Sequence, residues 1–349
     1  MTCLLVIACV NCIIDVNGVY HPTERRLAAD YVTALRTSPR GLVFSPHERS
    51  VKLALLRSTD SDCYITGSSR EMQLTLGNFA PAVSRCHSLI NIAVSGASFE
   101  DLITHTGELA RHAGLRTLYV GISPWMFRRR ADARWTEERE ALLHACAELG
   151  LPSTAYRPTV LDRLKLVRNA INGEYLWRNL QALLDRRPLI VTADQLEDAD
   201  AVMRPDGSFR YSRQFLVGKP PPPQAVGDGA YKIGQPYADP VVIEELGTAL
   251  TVLARRGAHV VFVFAPYHPN VMRCRRADVC ASMATVVRAV QGLAGRVGAD
   301  VLGSYDPAVS GLDWRDFYDD MHVSAEALGH LRWASLPNGT HAHNSAQPH

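Results

Sequence analysis

Five short apolar runs constrain the fold of this chain more than any other feature. They are Asp62-Cys-Tyr-Ile-Thr-Gly67, Leu89-Ile-Asn-Ile-Ala-Val94, Thr117-Leu-Tyr-Val-Gly-Ile122, Val260-Val-Phe-Val-Phe-Ala265 and Asp300-Val-Leu302. Each has strand length, and hydrophobicity this continuous marks strands covered on both faces. Segments of helical length and periodicity, Phe99 to Ala113 and Pro240 to Arg256, lie between them and each precedes a strand by a few residues. Alternating order of this kind calls for a parallel sheet with helices on its faces. The expected class is α/β, a three-layer α/β/α sandwich with a central parallel sheet of about five strands. Arg25 to Leu35 and Val51 to Leu56 have helical spacing and lead into the first core strand.

Between the third and fourth strands sits an insertion, about residues 125 to 239, with predicted helices at Glu137 to Leu149 and Leu161 to Leu184. It closes in Lys219-Pro-Pro-Pro-Pro223 and Gly227-Asp-Gly229, which suit neither helix nor strand. The latter stretch lacks the Gly-Lys-Ser/Thr ending of a phosphate loop and follows no strand. The division expected is a segment 1–20, one domain over 21–335, and a disordered tail over 336–349, with His341 and His343 in the tail read as a frayed end. With 47% hydrophobic and 21% charged residues the chain as a whole is globular. The net charge of +2, from 37 basic and 35 acidic residues, gives no field for nucleic acid. Only Lys52, Lys165, Lys219 and Lys232 are lysines, which reads as codon bias.

Leu4 to Ile14 is apolar but for Asn11, too short for the roughly 20 residues that span a bilayer, and without a signal peptide's basic start. Two explanations stand, a buried first strand or the last part of a membrane anchor, and the second is preferred. Val6-Ile-Ala-Cys9 resembles a lipoprotein cleavage box with too few residues before it. Cys9-Val-Asn-Cys12 has redox spacing but lies inside the aliphatic run, not at a strand-to-helix turn. Cys274 and Cys280 bracket a short polar loop that a disulfide would close in an oxidising compartment. No zinc-binding spacing is present, and neither metal nor cofactor is expected.

Ligands of doubly wound sheets gather beyond the carboxyl ends of the strands. Those ends carry Gly67-Ser-Ser-Arg70, Ser95-Gly-Ala-Ser98 and Ser123-Pro124, and the last strand is followed by Asp316-Phe-Tyr-Asp-Asp-Met-His322. A serine nucleophile needs a base, a carboxylate to orient that base, and N–H donors for the oxyanion. Ser69 follows a strand and is expected to open a helix, where the dipole favours negative charge. An Asp-x-x-His loop brings His322 to the serine while Asp319 holds the far ring nitrogen. Gly96 allows a close backbone approach to substrate.

These strings resemble blocks one, two and five of the SGNH (GDSL-like) hydrolase superfamily. The resemblance is to its membrane-anchored bacterial branch, related to polysaccharide O-acetylation and teichoic acid D-alanyl transfer proteins, and spans residues 15 to 335 or so. Asp15-Val-Asn-Gly-Val-Tyr20 is similar to the way those proteins leave the membrane. The resemblance implies a flavodoxin-like sandwich, a catalytic Ser69 with Asp319 and His322, and oxyanion donors from the Ser69 and Gly96 backbone. It further implies a serine-dependent acyl esterase or O-acyltransferase outside the cytoplasm, tethered to the inner membrane. The substrate would be an acylated polysaccharide of the cell envelope or a small ester, with a possible membrane-bound acyltransferase as partner.

The chain departs from the family pattern in two places. Ser68 stands where the first block usually has Asp, and Gly121-Ile-Ser-Pro124 lacks the asparagine donor of the third block, leaving Ser123 as the substitute. Asp320-Met-His322 offers a shorter Asp-x-His spacing, so Asp320 competes with Asp319 for the role of acid. His268 is expected in a loop lining the cleft. Trp125-Met-Phe127 with Arg128-Arg-Arg130 reads as helix packing with a charged edge, and alternatively as an acyl pocket with a basic rim. The rival to an enzyme is a catalytically inactive envelope protein that keeps the fold and binds glycan or a membrane partner.

Overall fold

The computed structural model describes residues 2–14, 23–43, 48–79, 86–127, 138–152, 167–168, 170–185, 190, 193, 201–212, 216, 238–272 and 277–333. In chain order its elements begin with α1 (Thr2–Ile14), α2 (Thr23–Thr37), β1 (Leu42–Val43), α3 (Glu48–Ser58) and β2 (Cys63–Thr66). Next come β3 (Leu89–Asn91), α4 (Phe99–Leu109), β4 (Thr117–Gly121), α5 (Arg139–Glu148), α6 (Gly173–Asp185), β5 (Ala201–Met203) and β6 (Phe209–Tyr211). The chain continues through α7 (Pro240–Arg255), β7 (His259–Phe264), α8 (Pro269–Met272), α9 (Ala277–Val297), β8 (Asp300–Gly303) and α10 (Ala325–Leu328).

All five apolar runs form strands of one parallel sheet, ordered β3-β2-β4-β7-β8, the second-first-third-fourth-fifth order of flavodoxin-like folds. The registers Cys63↔Leu89, Cys63↔Thr117, Thr117↔His259 and Val261↔Asp300 align the strand starts, so the carboxyl ends open on a common edge. Alternating side chains divide between two cores. Tyr64, Leu118, Val120, Val260, Phe262 and Val301 meet the apolar faces of α2 to α5, α7 and α9. Cys63, Ile65, Tyr119, Val261, Val263 and Leu302 meet a thinner layer made of Leu74, Phe79 and the C-terminal stretch from Leu312 to Leu331. Full burial of each such aliphatic side chain stabilises the fold by about 1.5–3 kcal/mol over exposure.

Four differences from the sequence reading concern the framework outside the site. Residues 4–14 are helical, so the strand alternative for this run is wrong: α1 packs on α6, with Asn11 Nδ2 donating to the carbonyls of Ala170 (2.8 Å) and Asn172 (3.0 Å) and Asn179 Nδ2 donating to Asn11 Oδ1. The long helix α9 was not anticipated, although Val279, Met283, Val286, Val290 and Leu293 recur at spacings of four and three and are buried. A second sheet, β1-β5-β6, is antiparallel and joins the hairpin of the insertion to residues 42–43. Its strands of two or three residues are too short for periodicity to register.

The fourth difference lies in the cysteines. A disulfide joins Cys63 to Cys86, a pair that spacing did not single out. Cys280 is also disulfide-bonded, whereas Cys274 lies outside the described residues. Cys9 is a free thiol on α1. The tail, the proline-rich loop and Arg128 to Arg130 fall outside the described residues as well.

Candidate active site

The hairpin turn of the insertion reaches the sheet edge where the chemistry-bearing residues collect. Asn91 N donates to Asp206 O (2.7 Å), Phe209 N donates to Met72 O (2.7 Å), and the buried Lys52 ammonium donates to the carbonyls of Asn91 (2.8 Å) and Gly207 (2.5 Å). Gly207 is required there, because a Cβ would lie 2.3 Å from the Asn91 carbonyl oxygen.

Ser69 follows β2, and residues 68–74 run as successive turns (Glu71 N to Ser68 O and Leu74 N to Glu71 O, both 3.0 Å) before a short helical turn at 76–78. The expected helix at Ser69 is absent for a physical reason. Carbonyls that a helix would use internally are taken elsewhere: Asn91 Nδ2 donates to those of Glu71 (2.8 Å), Met72 (3.2 Å) and Leu74 (2.8 Å), and Met72 O also receives Phe209 N. Negative charge at Ser69 therefore meets amides of turns, not the dipole of a long helix.

Glu71 lies beneath this turn, fully buried, with Oε2 accepting from Ser68 N (2.8 Å) and Ser68 Oγ (3.0 Å). Two glycines at the ends of β2 and β4 make its slot. A Cβ on Gly67 would lie 2.6 Å from Glu71 Oε2, and one on Gly121 would lie 2.4 Å from Glu71 Cδ. Burial pushes the Glu71 carboxyl above the usual range, against the opposing influence of Arg70 and the Ser68 hydrogen bonds. Sequence reasoning missed Glu71, whose only signal is its place two residues after Ser69.

Ser69 Oγ lies 2.8 Å from His322 Nε2. On the far side of the ring, His322 Nδ1 lies 2.8 Å from each oxygen of Asp319. Asp319 Oδ1 also accepts from the amides of Met321 (2.8 Å) and His322 (2.9 Å), which fixes the carboxylate within its own loop. Burial raises the Asp319 pKa, but the hydrogen bonds and charge of His322 and these amides outweigh it and hold the carboxyl below its ordinary value. Tyr318 stacks on the His322 ring at 5.4 Å and 3°, and Tyr211 from β6 meets Tyr318 edge-on. Asp320 is also buried, and its carbonyl accepts from His268 N (3.1 Å), so it braces the loop by its backbone.

Gly96 sits exposed in the loop after β3 with φ +56°, a conformation that favours glycine. Ser123 is fully buried and its hydroxyl lies 3.0 Å from Ser68 Oγ, so it reaches Ser69 only through Ser68 and the Glu71 slot. His268, expected to line the cleft, has no solvent exposure and packs edge-on against Phe317. Met126 and Phe127 belong to the core and the partly buried Trp125 packs against it, with Trp125 Nε1 donating to Ala97 O (2.9 Å), which agrees with the packing reading of this cluster.

A shallow cavity of about 770 Å³ at the opposite, amino ends of β2 and β4 is lined by Arg57, Asp60, Glu108, Arg111 and His112. Arg57 and Arg111 there are both paired with Glu108. Among the described residues, no group of three or more His, Cys, Asp or Glu is placed to hold a metal ion. No protein-family model matches this chain, and no curated protein sequence matches it.

Proposed function

We propose that the chain is an SGNH-like serine acyl esterase or O-acyltransferase that acts on ester groups of a cell-envelope or exported polysaccharide. One observation carries the reading. Residues 253 positions apart meet so that Ser69 Oγ, His322 and Asp319 form a continuous hydrogen-bonded chain at 2.8 Å per link. Ser69 attacks the acyl carbonyl while His322 Nε2 takes its proton, and Asp319 holds the ring and offsets the imidazolium charge. In this reading the amides of Ser69 and Gly96 receive the oxyanion of the tetrahedral intermediate, and Ser123 supports the Ser69 turn through its contact with Ser68. His322 then protonates the leaving alcohol. Water attacking the acyl-serine completes hydrolysis, and a sugar hydroxyl completes transfer.

The extracytoplasmic setting is supported by two bonded cysteines, Cys63 with Cys86, and a third in Cys280, since such bonds persist in oxidising compartments. Tethering through the amino terminus, close to a membrane-bound acyltransferase partner, is supported by exposed apolar surface. Eight of the eleven exposed large apolar side chains among the described residues are on α1 (Leu4, Leu5, Val6, Ile13) or at Val167, Ile171, Trp177 and Leu180. No helix of the described residues is long and apolar enough to cross a membrane.

Reaction of the protein with a fluorophosphonate probe tests the reading. Covalent labelling that Ser69→Ala and His322→Ala both abolish is the expected result. Folded protein that stays unlabelled overturns it in favour of a glycan-binding or partner-binding envelope protein. That second reading draws on one observation: Ser123, the substitute for the absent asparagine, turns its hydroxyl to Ser68.

A further inference from the structure

The Asp319–His322 pair sits on a loop with little regular structure of its own, closed at its base by the bridge Phe317↔Val323 and by Ser324 N donating to Asp316 O (2.7 Å), and met on one side by His268 N at Asp320 O (3.1 Å). None of these bonds ties the loop to the Ser69 turn. The stretch immediately after Ser69 supplies that tie through side chains that donate to the backbone of the C-terminal segment. Gln73 Nε2 donates to Val323 O (3.1 Å), Arg70 Nε to Met321 O (3.4 Å) and Asn78 Nδ2 to Leu328 O (3.0 Å), while Trp333 Nε1 returns a bond to Asn78 O (2.7 Å). Residues 70, 73 and 78 thus meet residues 321, 323 and 328 in rising order. The carbonyls flanking His322 on either side, those of Met321 and Val323, are the ones held by Arg70 and Gln73.

Arg70 carries a second attachment. Its Nη2 donates to Ala265 O at the end of β7, and its guanidinium lies 3.6 Å from the centre of the Tyr267 ring. The side chain is 4% exposed, and Nη1 has no hydrogen-bond partner among the described residues. A buried guanidinium with an unsatisfied nitrogen carries a desolvation cost that stability alone does not explain. Gln73 is 7% exposed and spends its amide on one loop carbonyl.

We propose that Arg70 and Gln73 are positioning residues that hold His322 at bonding distance from Ser69 by fixing the backbone on both sides of it. The inference rests on the serine reading above for its kinetic consequence, but its structural content is the bracing of the loop. A nucleophile and its base, 253 residues apart in sequence, are kept in register by side chains one and four positions after the nucleophile. Both residues act through the loop and touch neither reacting atom.

The test compares wild type with Gln73→Met, Arg70→Met and Arg70→Lys by time-resolved fluorophosphonate labelling and by proton NMR of the His322–Asp319 hydrogen bond. Misplacement by about 1 Å can cost about 100-fold in rate. The expected result is labelling slowed about 10- to 100-fold at an unchanged final extent, with the strongly downfield ring proton broadened or lost. Arg70→Lys, which keeps the charge but not the fork, should fall with Arg70→Met. Unchanged rates with an unchanged proton signal overturn the proposal and leave the serine reading standing. A reduced final extent at an unchanged rate also overturns it, because it means only that less protein is folded. If wild type is never labelled, the serine reading fails, and the proton signal alone decides: its retention in Gln73→Met and Arg70→Met overturns the brace.

Discussion

Asp319 and Glu71 are carboxylates within one site that their surroundings drive in opposite directions. For Glu71 burial outweighs the Arg70 charge and the Ser68 hydrogen bonds, and its pKa rises; Asp319 has His322 and two amides, and its pKa falls. Asp319→Asn keeps the size but presents an amide to Nδ1, which favours the wrong ring tautomer. Esterase or labelling rates should fall about 10²- to 10⁴-fold, as stopped-time labelling would measure, and Tm at neutral pH should fall as well, because the ionised carboxylate is the form its surroundings favour. Stability should respond differently in acid. Because the folded Asp319 pKa lies below the unfolded value of 3.8, its contribution is present above that value and is lost as pH falls through the folded pKa. Urea unfolding from about pH 6 down to about pH 3 should therefore show a steeper loss for wild type than for Asp319→Asn.

At the scale of elements, the Ser69 turn depends on close approach between β2, β4 and the slot they form for Glu71. Gly121→Ala drives a methyl to 2.4 Å from the Glu71 side chain, an overpacking that should cost about 1–3 kcal/mol in urea unfolding and slow labelling of Ser69. Gly114→Ala, with nothing within 4 Å, is the control and should match wild type in both. The hairpin of the insertion makes a second dependence, through Lys52. Burial lowers its pKa from 10.5 to about 8, so between those values the unfolded chain binds the extra proton and stability rises with pH. Unfolding measured from about pH 8 to about pH 9.5 should show that rise, by at most about 1.4 kcal/mol per pH unit, and Lys52→Met should remove it.

Most of this framework was legible in the letters because it is written in local patterns. The runs at 62–67, 89–94, 117–122, 260–265 and 300–302 announce buried strands, and the order of strands and helices dictates a parallel sheet. Ser69, Asp319 and His322 were reachable because strand ends and a late Asp-x-x-His loop converge at one edge of such a sheet. The turn conformation of residues 68–74 was not legible, since the side chain that diverts its carbonyls is Asn91, in the neighbouring strand. Gln73 and Arg70 read locally as ordinary polar residues, and their partners lie about 250 positions away. The hairpin β5–β6 escaped for the opposite reason, being too short to show a period.

For the molecule as a whole, the disulfide and the apolar surface of α1 and α6 each bear on where the chain can work. Cys63 opens β2 and Cys86 leads into β3, so the bond closes a stretch with a sequence separation of 23 at the amino ends of two adjacent strands, opposite the site. Chain entropy alone assigns such a closure about 3 kcal/mol. Reduction, or Cys63→Ala with Cys86→Ala, should lower unfolding free energy by about that amount, and an equal midpoint with and without reductant would rule out a stabilising bond. The exposed Leu5 and Trp177 lie on helices tied together by the buried Asn11–Asn179 pair, so their apolar faces belong to one unit. Burying that unit at a bilayer surface gains about 25 cal/mol per Å² without requiring a span. Wild type should co-sediment with phosphatidylglycerol–phosphatidylethanolamine vesicles, and Leu5→Glu with Trp177→Glu should remain in the supernatant with Ser69 labelling intact. Wild type that stays soluble beside vesicles removes the support for a tether, and dimers that the same substitutions dissociate assign the patch to contact between copies of the chain.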